Sequence, residues 1–148
     1  MNLLYIARTV IKRTLENSAE YRALLEWPDA PGVYRTFGEY VAASVPPPYV
    51  TIEWYAGGLS NAAQTQDSDS LWKVCIHTIE DEPLAMAGAN AIYNALHNVW
   101  PDMGNITGFA GYHPIELKYP FQDATNRQGR ILLRAGGIYS LRLAEKQG

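Results

Sequence analysis

The sequence predicts an α+β fold: a single domain, residues 1–148, in which a mostly antiparallel β-sheet carries two main helices packed on one face. Three observations predict it. Apolar residues recur at helical spacing at the start and in the middle of the chain, and at alternate positions elsewhere. The resulting order, α, β, β, β, α, β, β, lacks the strict strand–helix alternation of a parallel sheet. At 148 residues, 47% of them hydrophobic, the chain supports one core that buries about 68–70% of the unfolded surface, and is short for two.

The elements follow in order. Leu3, Ala7, Val10, Ile11, Thr14 and Leu15 share a stripe, with Arg8, Lys12, Arg13 and Glu16 elsewhere on the wheel and Asn2 as a cap, so the chain opens with an amphipathic helix. Residues 20–27 read as a second short helix that Pro28 and the turn-rich 28–32 segment end. VYRTF (33–37) reads as a short strand. The prolines at 46–48 mark a strand entry at a sheet edge, because proline cannot donate to a ladder, and YVTIEWYA (49–56) is dense in β-branched and aromatic residues. GGLSNAAQTQDSDS (57–70) is small, polar and aperiodic, and reads as a long flexible loop.

LWKVCIHTI (71–79) alternates, with Trp72, Val74, Ile76 and Thr78 on one face and Lys73, Cys75, His77 and Ile79 on the other. It reads as an antiparallel partner of 49–56. Pro83 in a first turn and Asp81 and Glu82 before it open a helix whose stripe is Ala85, Gly88, Ala89, Ile92, Leu96 and Val99, up to Trp100. After a Gly-rich connection, 113–121 reads as a strand, 125–129 as a turn and 130–143 as the last β element. Gly136 and Gly137 there either bulge one long strand or turn a hairpin.

Composition excludes several classes. Twelve Lys plus Arg against fifteen Asp plus Glu leave a net charge of −3, without the basic footprint of a dedicated nucleic-acid binder. The single Cys75 rules out an intramolecular disulfide framework or a cysteine-based zinc cluster, and fits a reducing compartment. The apolar run 3–7 has no basic residue ahead of it, the reverse of a signal peptide. The longest uncharged stretch, 83–101, is interrupted by Asn90, Asn94, His97 and Asn98, so no membrane span is expected. Ten Tyr and four Trp are an excess that suits contact with other chains.

Chemistry is sparse. Cys75 and His77 share a strand face and, with His97 or His113, compose a conceivable nucleophile pair or metal site. C-x-H alone is no metal spacing, however, and a lone strand cysteine is ordinarily a small core residue. Asp67 and Asp69 form a fragment of a calcium loop without its glycine and terminal glutamate, and Glu80, Asp81 and Glu82 read as helix-capping electrostatics. No catalytic residue, metal site or cofactor site is expected. Charge is unevenly placed: residues 1–52 carry five basic and five acidic side chains, 53–125 two and nine, and 126–148 five and one. That asymmetry suits a subunit with one acidic and one basic face, associating head to tail in a closed ring. Arg127, Arg130, Arg134, Asp67, Asp69 and Trp54 are the candidate subunit-interface residues.

The succession of an N-terminal helix, PPPYVTIEW (46–54), a long polar loop, DSLWKVCIHTI (69–79), AMAGANAIYNALHNV (85–99) and RILLRAGGIYSLRL (130–143) resembles the tail terminator, or tail completion, proteins of long-tailed bacteriophages. The resemblance implies a non-enzymatic virion protein that caps the head-proximal end of a tail tube as a homo-hexameric ring, ends tube growth and offers a surface for head–tail joining. Its partners would be its own copies, a tail tube protein and a head–tail connector protein. DNA would pass the lumen without specific binding, no membrane would be involved, and the chain would reside in the host cytoplasm before assembly. A domain of this length has a radius of gyration of about 15 Å, so six spheres of about 38 Å leave a hole that admits a duplex. Two other readings stand beside it: another neck or connector protein, and a small-molecule-binding or hydrolytic domain using Cys75 and His77.

Overall fold

The first helix, α1 (Leu3–Glu16), buries Leu3, Ile6, Ala7, Val10, Ile11, Thr14 and Leu15, the stripe its periodicity predicts. These details come from a computed structural model, which describes residues 3–60 and 67–146. Helix α2 (Ala19–Leu25) starts at Ser18, whose hydroxyl accepts from the Tyr21 amide at 3.3 Å. It ends two residues before the predicted stop at Trp27. Glu26 and Trp27 instead form β1 (Glu26–Trp27), paired antiparallel with β2 (Ala30–Tyr34) around a turn at Pro28 and Asp29. The predicted strand 33–37 is therefore divided between this small hairpin and β3 (Thr36–Phe37), which pairs parallel with the main sheet.

Strand β4 (Tyr49–Ser60) begins directly after the three prolines and runs antiparallel to β5 (Asp67–Ile79). The expected flexible loop over 57–70 is corrected here. Pairing continues through Gly57↔Ser70, Gly58↔Asp69, Leu59↔Ser68 and Ser60↔Asp67, and residues 61–66 lie outside the described residues. Backbone hydrogen bonds need no apolar side chains, and β5 is held over the same stretch by its other neighbour, so a polar sequence stays in the ladder. Gly57 has φ +77°, and a Cβ there would collide with the Asp69 carbonyl, which explains a glycine at the start of this extension.

Helix α3 (Glu82–Leu96) is capped by Asp81, whose carboxylate accepts from the Leu84 amide at 3.0 Å. It stops four residues short of Trp100, because Asn98 adopts φ +60° and Val99 turns away to bridge Ile115. Strand β6 (Phe109–Gly111) lies in the connection that the sequence showed only as Gly-rich. Strand β7 (Glu116–Arg127) extends past the predicted end at Phe121 to a two-residue turn. There Gln128 (φ +55°) and Gly129 (φ +81°) both take positive φ, the geometry that matches the twist of a hairpin. The last element is one strand, β8 (Arg130–Glu145), whose register with β5 runs unbroken through Gly136 and Gly137, deciding against a hairpin.

The main sheet has the order β3-β4-β5-β8, with β6 and β7 sharing the far side of β8. Helices α1 and α3 cover one face, over Val50, Ile52, Trp72, Val74, Ile76, Ala135 and Tyr139. The architecture is thus the predicted α+β fold, a mostly antiparallel sheet with helices on one side. Two polar groups taken into the core are paired: Trp72 Nε1 donates to Ser70 Oγ at 2.7 Å, and the Tyr21 hydroxyl bonds Thr36 Oγ1 at 2.5 Å. Among the described residues, no helix is long and apolar enough to cross a membrane.

Candidate functional site

The sheet face turned away from the helices collects the chemistry-bearing side chains. Antiparallel partners share a face, so the pairs Thr51↔Cys75, Glu53↔Lys73, His77↔Arg134 and Asp123↔Arg134 bring β4, β5, β8 and β7 together there. His77 is 7% exposed. Its Nε2 bonds Thr51 Oγ1 at 2.8 Å, its ring stacks on Tyr49 with centroids 4.7 Å apart, and its Nδ1 has no partner. Burial first, and the Arg134 guanidinium second, push its pKa down to about 4. Cys75 is fully buried, and burial pushes its thiol up to about 12. At neutral pH the pair is an uncharged imidazole and a protonated thiol, with neither an accessible nucleophile nor an activated base.

Arg134 donates to both carboxylate oxygens of Asp123, at 2.9 and 2.5 Å, and this bidentate bond holds the Asp123 pKa below the usual carboxylate range. Beside it Lys73 Nζ lies 4.3 Å from the Phe121 ring centre and 5.7 Å from that of Tyr55. These residues, with Trp54, Tyr119 and Ile138, line a trough of about 390 Å³. Trp54, Tyr55 and Tyr119 are 46%, 53% and 63% exposed. An aromatic-walled, solvent-open trough with one lysine suits contact with another macromolecule. The sequence pointed to Trp54 but not to Lys73, Phe121 or Asp123, because their meeting depends on which strands neighbour β5 and β8.

Other sequence candidates are dispersed. His97 Nδ1 accepts from the Leu117 amide at 3.1 Å, and His113 lies 3.0 Å from Glu116, so neither histidine joins Cys75 and His77. Among the described residues no group of three His, Cys, Asp or Glu could hold a metal ion. Asp69 lies on a strand, not in a calcium-type loop, and faces Arg142 at 3.7 Å; Asp67 is on the same strand, and its side chain lies outside the described residues.

The acidic and basic segments meet in space. Arg130 faces Glu80 at 3.8 Å, Arg134 binds Asp123, and Arg142 faces Asp69, while Asp102 and Glu116 have Arg13 and Lys118 within 4.0 Å. The basic strand β8 lies between β5 and β7, so much of the charge segregation along the chain cancels. Arg127 stays exposed beside the β7–β8 turn. It lines a second groove, of about 360 Å³, with Arg130, Ile79, Leu132 and the 41–47 segment.

No family model and no curated protein matches the sequence. Among solved structures, a chain of a particle described as "Virion of native gene transfer agent (GTA) particle" superposes with a TM-score of 0.61 at 11% identity, over 93% of both chains. At that identity the likeness is one of fold, with no residue-by-residue correspondence.

Proposed function

We propose that the protein is a structural subunit of a phage-type virion, and within it a tail terminator that closes the head-proximal end of a tail tube as a ring, with six copies as the expected number. The observation that carries the reading is the shared fold with a chain of a virion particle across 93% of both chains. The inert Cys75 and His77 pair favours a structural role over the hydrolytic one, and the exposed aromatics of the trough supply surface for partner subunits. The partners in this reading are its own copies, the tail tube protein and a connector protein, and DNA passes through the ring without specific binding.

The test is assembly. Purified protein, measured by light scattering and negative-stain microscopy, should form closed rings alone or on tube ends, and should stop tube growth at a defined length. A protein that stays monomeric with tube protein present and leaves tube length unchanged refutes the terminator role. Virions lacking the protein distinguish it from a neighbouring neck position: abnormally long tubes mark a terminator, whereas normal free tails mark a connector.

A further inference from the structure

The outer strands β4 and β7 end the main sheet differently. On β4 the outward backbone groups are taken. The Val50 amide donates to the Arg35 carbonyl at 2.8 Å as β3 pairs alongside, and the Trp54 amide donates to Glu39 Oε1 at 3.1 Å. Past the bulge between Trp54 and Ala56, the Gly57 carbonyl accepts from Trp54 Nε1 at 2.8 Å. Such devices close a sheet edge to other chains. On β7 they occur only at the start, where the Leu117 amide donates to His97 Nδ1, a bulge follows between Leu117 and Tyr119, and Pro120 has no N–H.

Beyond Pro120 the edge is bare. The Glu80 amide donates to the Ile131 carbonyl at 2.9 Å, so Ile131 and every second residue after it turn their backbone toward β5, and the residues between turn toward β7. Their partners on β7 are Arg127, Thr125, Asp123 and Phe121, which leaves the N–H and C=O groups of Gln122, Ala124 and Asn126 pointing away from the sheet. These three residues are exposed, and among the described residues no strand pairs with this side of β7.

We propose that this edge pairs antiparallel with the same edge of a second copy, about a two-fold axis at Ala124. An identical strand run the other way offers the matching row of donors and acceptors, and the pairing removes from solvent an edge that would otherwise recruit any extended chain. Charge and turn geometry set the register. An axis at Ala124 opposes Ala124 to itself and Gln122 to Asn126, all uncharged and outward-bonding, and brings Arg127 of one copy diagonal to Asp123 of the other. An axis at Asp123 would oppose two carboxylates, and one at Thr125 would set Gln122 against Gln128, which lies in the turn at φ +55°. A pairing of like with like closes after two copies, so it goes beyond the ring, whose contacts join unlike surfaces.

A position that meets itself across the axis provides the test. In dilute protein under mild oxidation, Ala124→Cys should give a disulfide-linked dimer, because directly opposed Cβ atoms lie about 4.5–5.5 Å apart. Ser44→Cys, exposed outside the strands, should give none, and native Cys75 is buried. Ala124→Lys sets like charges face to face and should raise the dimer dissociation constant, read by sedimentation equilibrium at low ionic strength, about tenfold or more. Mixing it with Ala124→Glu should restore pairing as a heterodimer, which also shows that both variants fold. Failure of Ala124→Cys to crosslink, or native dimers that tolerate Ala124→Lys, overturns the proposal. Rings on tube ends without the Ala124 crosslink would leave the ring reading standing and this contact refuted, whereas crosslinked dimers of a protein that never caps a tube would keep this contact and remove the ring.

Discussion

Mild acid should destabilise this protein through His77. In the unfolded chain its imidazole titrates near its ordinary value of 6.5; in the folded chain burial and Arg134 lower this to about 4. The folded state therefore binds the proton less tightly than the unfolded state. Stability is undiminished above about pH 6.5, falls below it, and the loss is complete once the pH has passed below about 4. A difference of about 2.5 pH units at about 1.36 kcal/mol each amounts to a loss of about 3 kcal/mol, of which about 2 kcal/mol is already gone at about pH 5. Near Tm that shifts melting by about 4–8 °C for a chain of this size. The assay is thermal melting at about pH 7 and pH 5 for the native chain and His77→Gln, whose amide can still bond Thr51 but takes up no proton. The native chain should lose about 2 kcal/mol more than the variant on acidification. Parallel losses in the two proteins would refute the assignment of acid sensitivity to His77.

Gly136→Ala should cost about 2–3 kcal/mol, because the added Cβ collides with the Val74 carbonyl and lies 2.9 Å from the Cys75 Cα, backbone atoms that no rotamer change can move. Gly38→Ala, where the nearest neighbour is the flexible Arg8 side chain at 3.3 Å, serves as the control and should be close to neutral in urea unfolding. Arg134→Met and Asp123→Asn should each destabilise, with a double-mutant coupling of about 1 kcal/mol in denaturant titrations, the partial exposure of both groups reducing the value of a bidentate pair. Coupling indistinguishable from zero would show the pair to be energetically idle. Cys75 should resist a thiol reagent in the native state and react fully in denaturant; rapid native labelling would contradict its burial.

The helical stripes of α1 and α3, the proline-bounded entry to β4 and the alternation of β5 were legible in the sequence because each is a local pattern of period 3.6 or 2. The failures share a cause. Gly57–Ser60 and Asp67–Ser70 read as a loop because their composition carries no periodicity, yet Asp67–Ser70 pair with β8 on one side and with Gly57–Ser60 on the other, which keeps both in the sheet. Val99 continued the helical stripe by spacing, but the left-handed turn at Asn98 carries it to Ile115 instead. The face of Cys75 and His77 was readable from alternation. What approaches that face, namely Thr51, Arg134, Asp123 and Phe121, was not, since those contacts join positions far apart in the chain.

Sequence alone determined the fold class, the two main helices, the faces of the central strands and the absence of any strong catalytic motif. All of these rest on neighbours within a few residues of one another. Tertiary structure decided that β8 is a single strand running through Gly136 and Gly137, and that it lies between β5 and β7. That position turned a chain with an acidic middle and a basic tail into a largely paired surface, with Arg130 against Glu80, Arg134 against Asp123 and Arg142 against Asp69. Charge is a sum over space and not along the chain, so only strand order could show which charges remain for a partner.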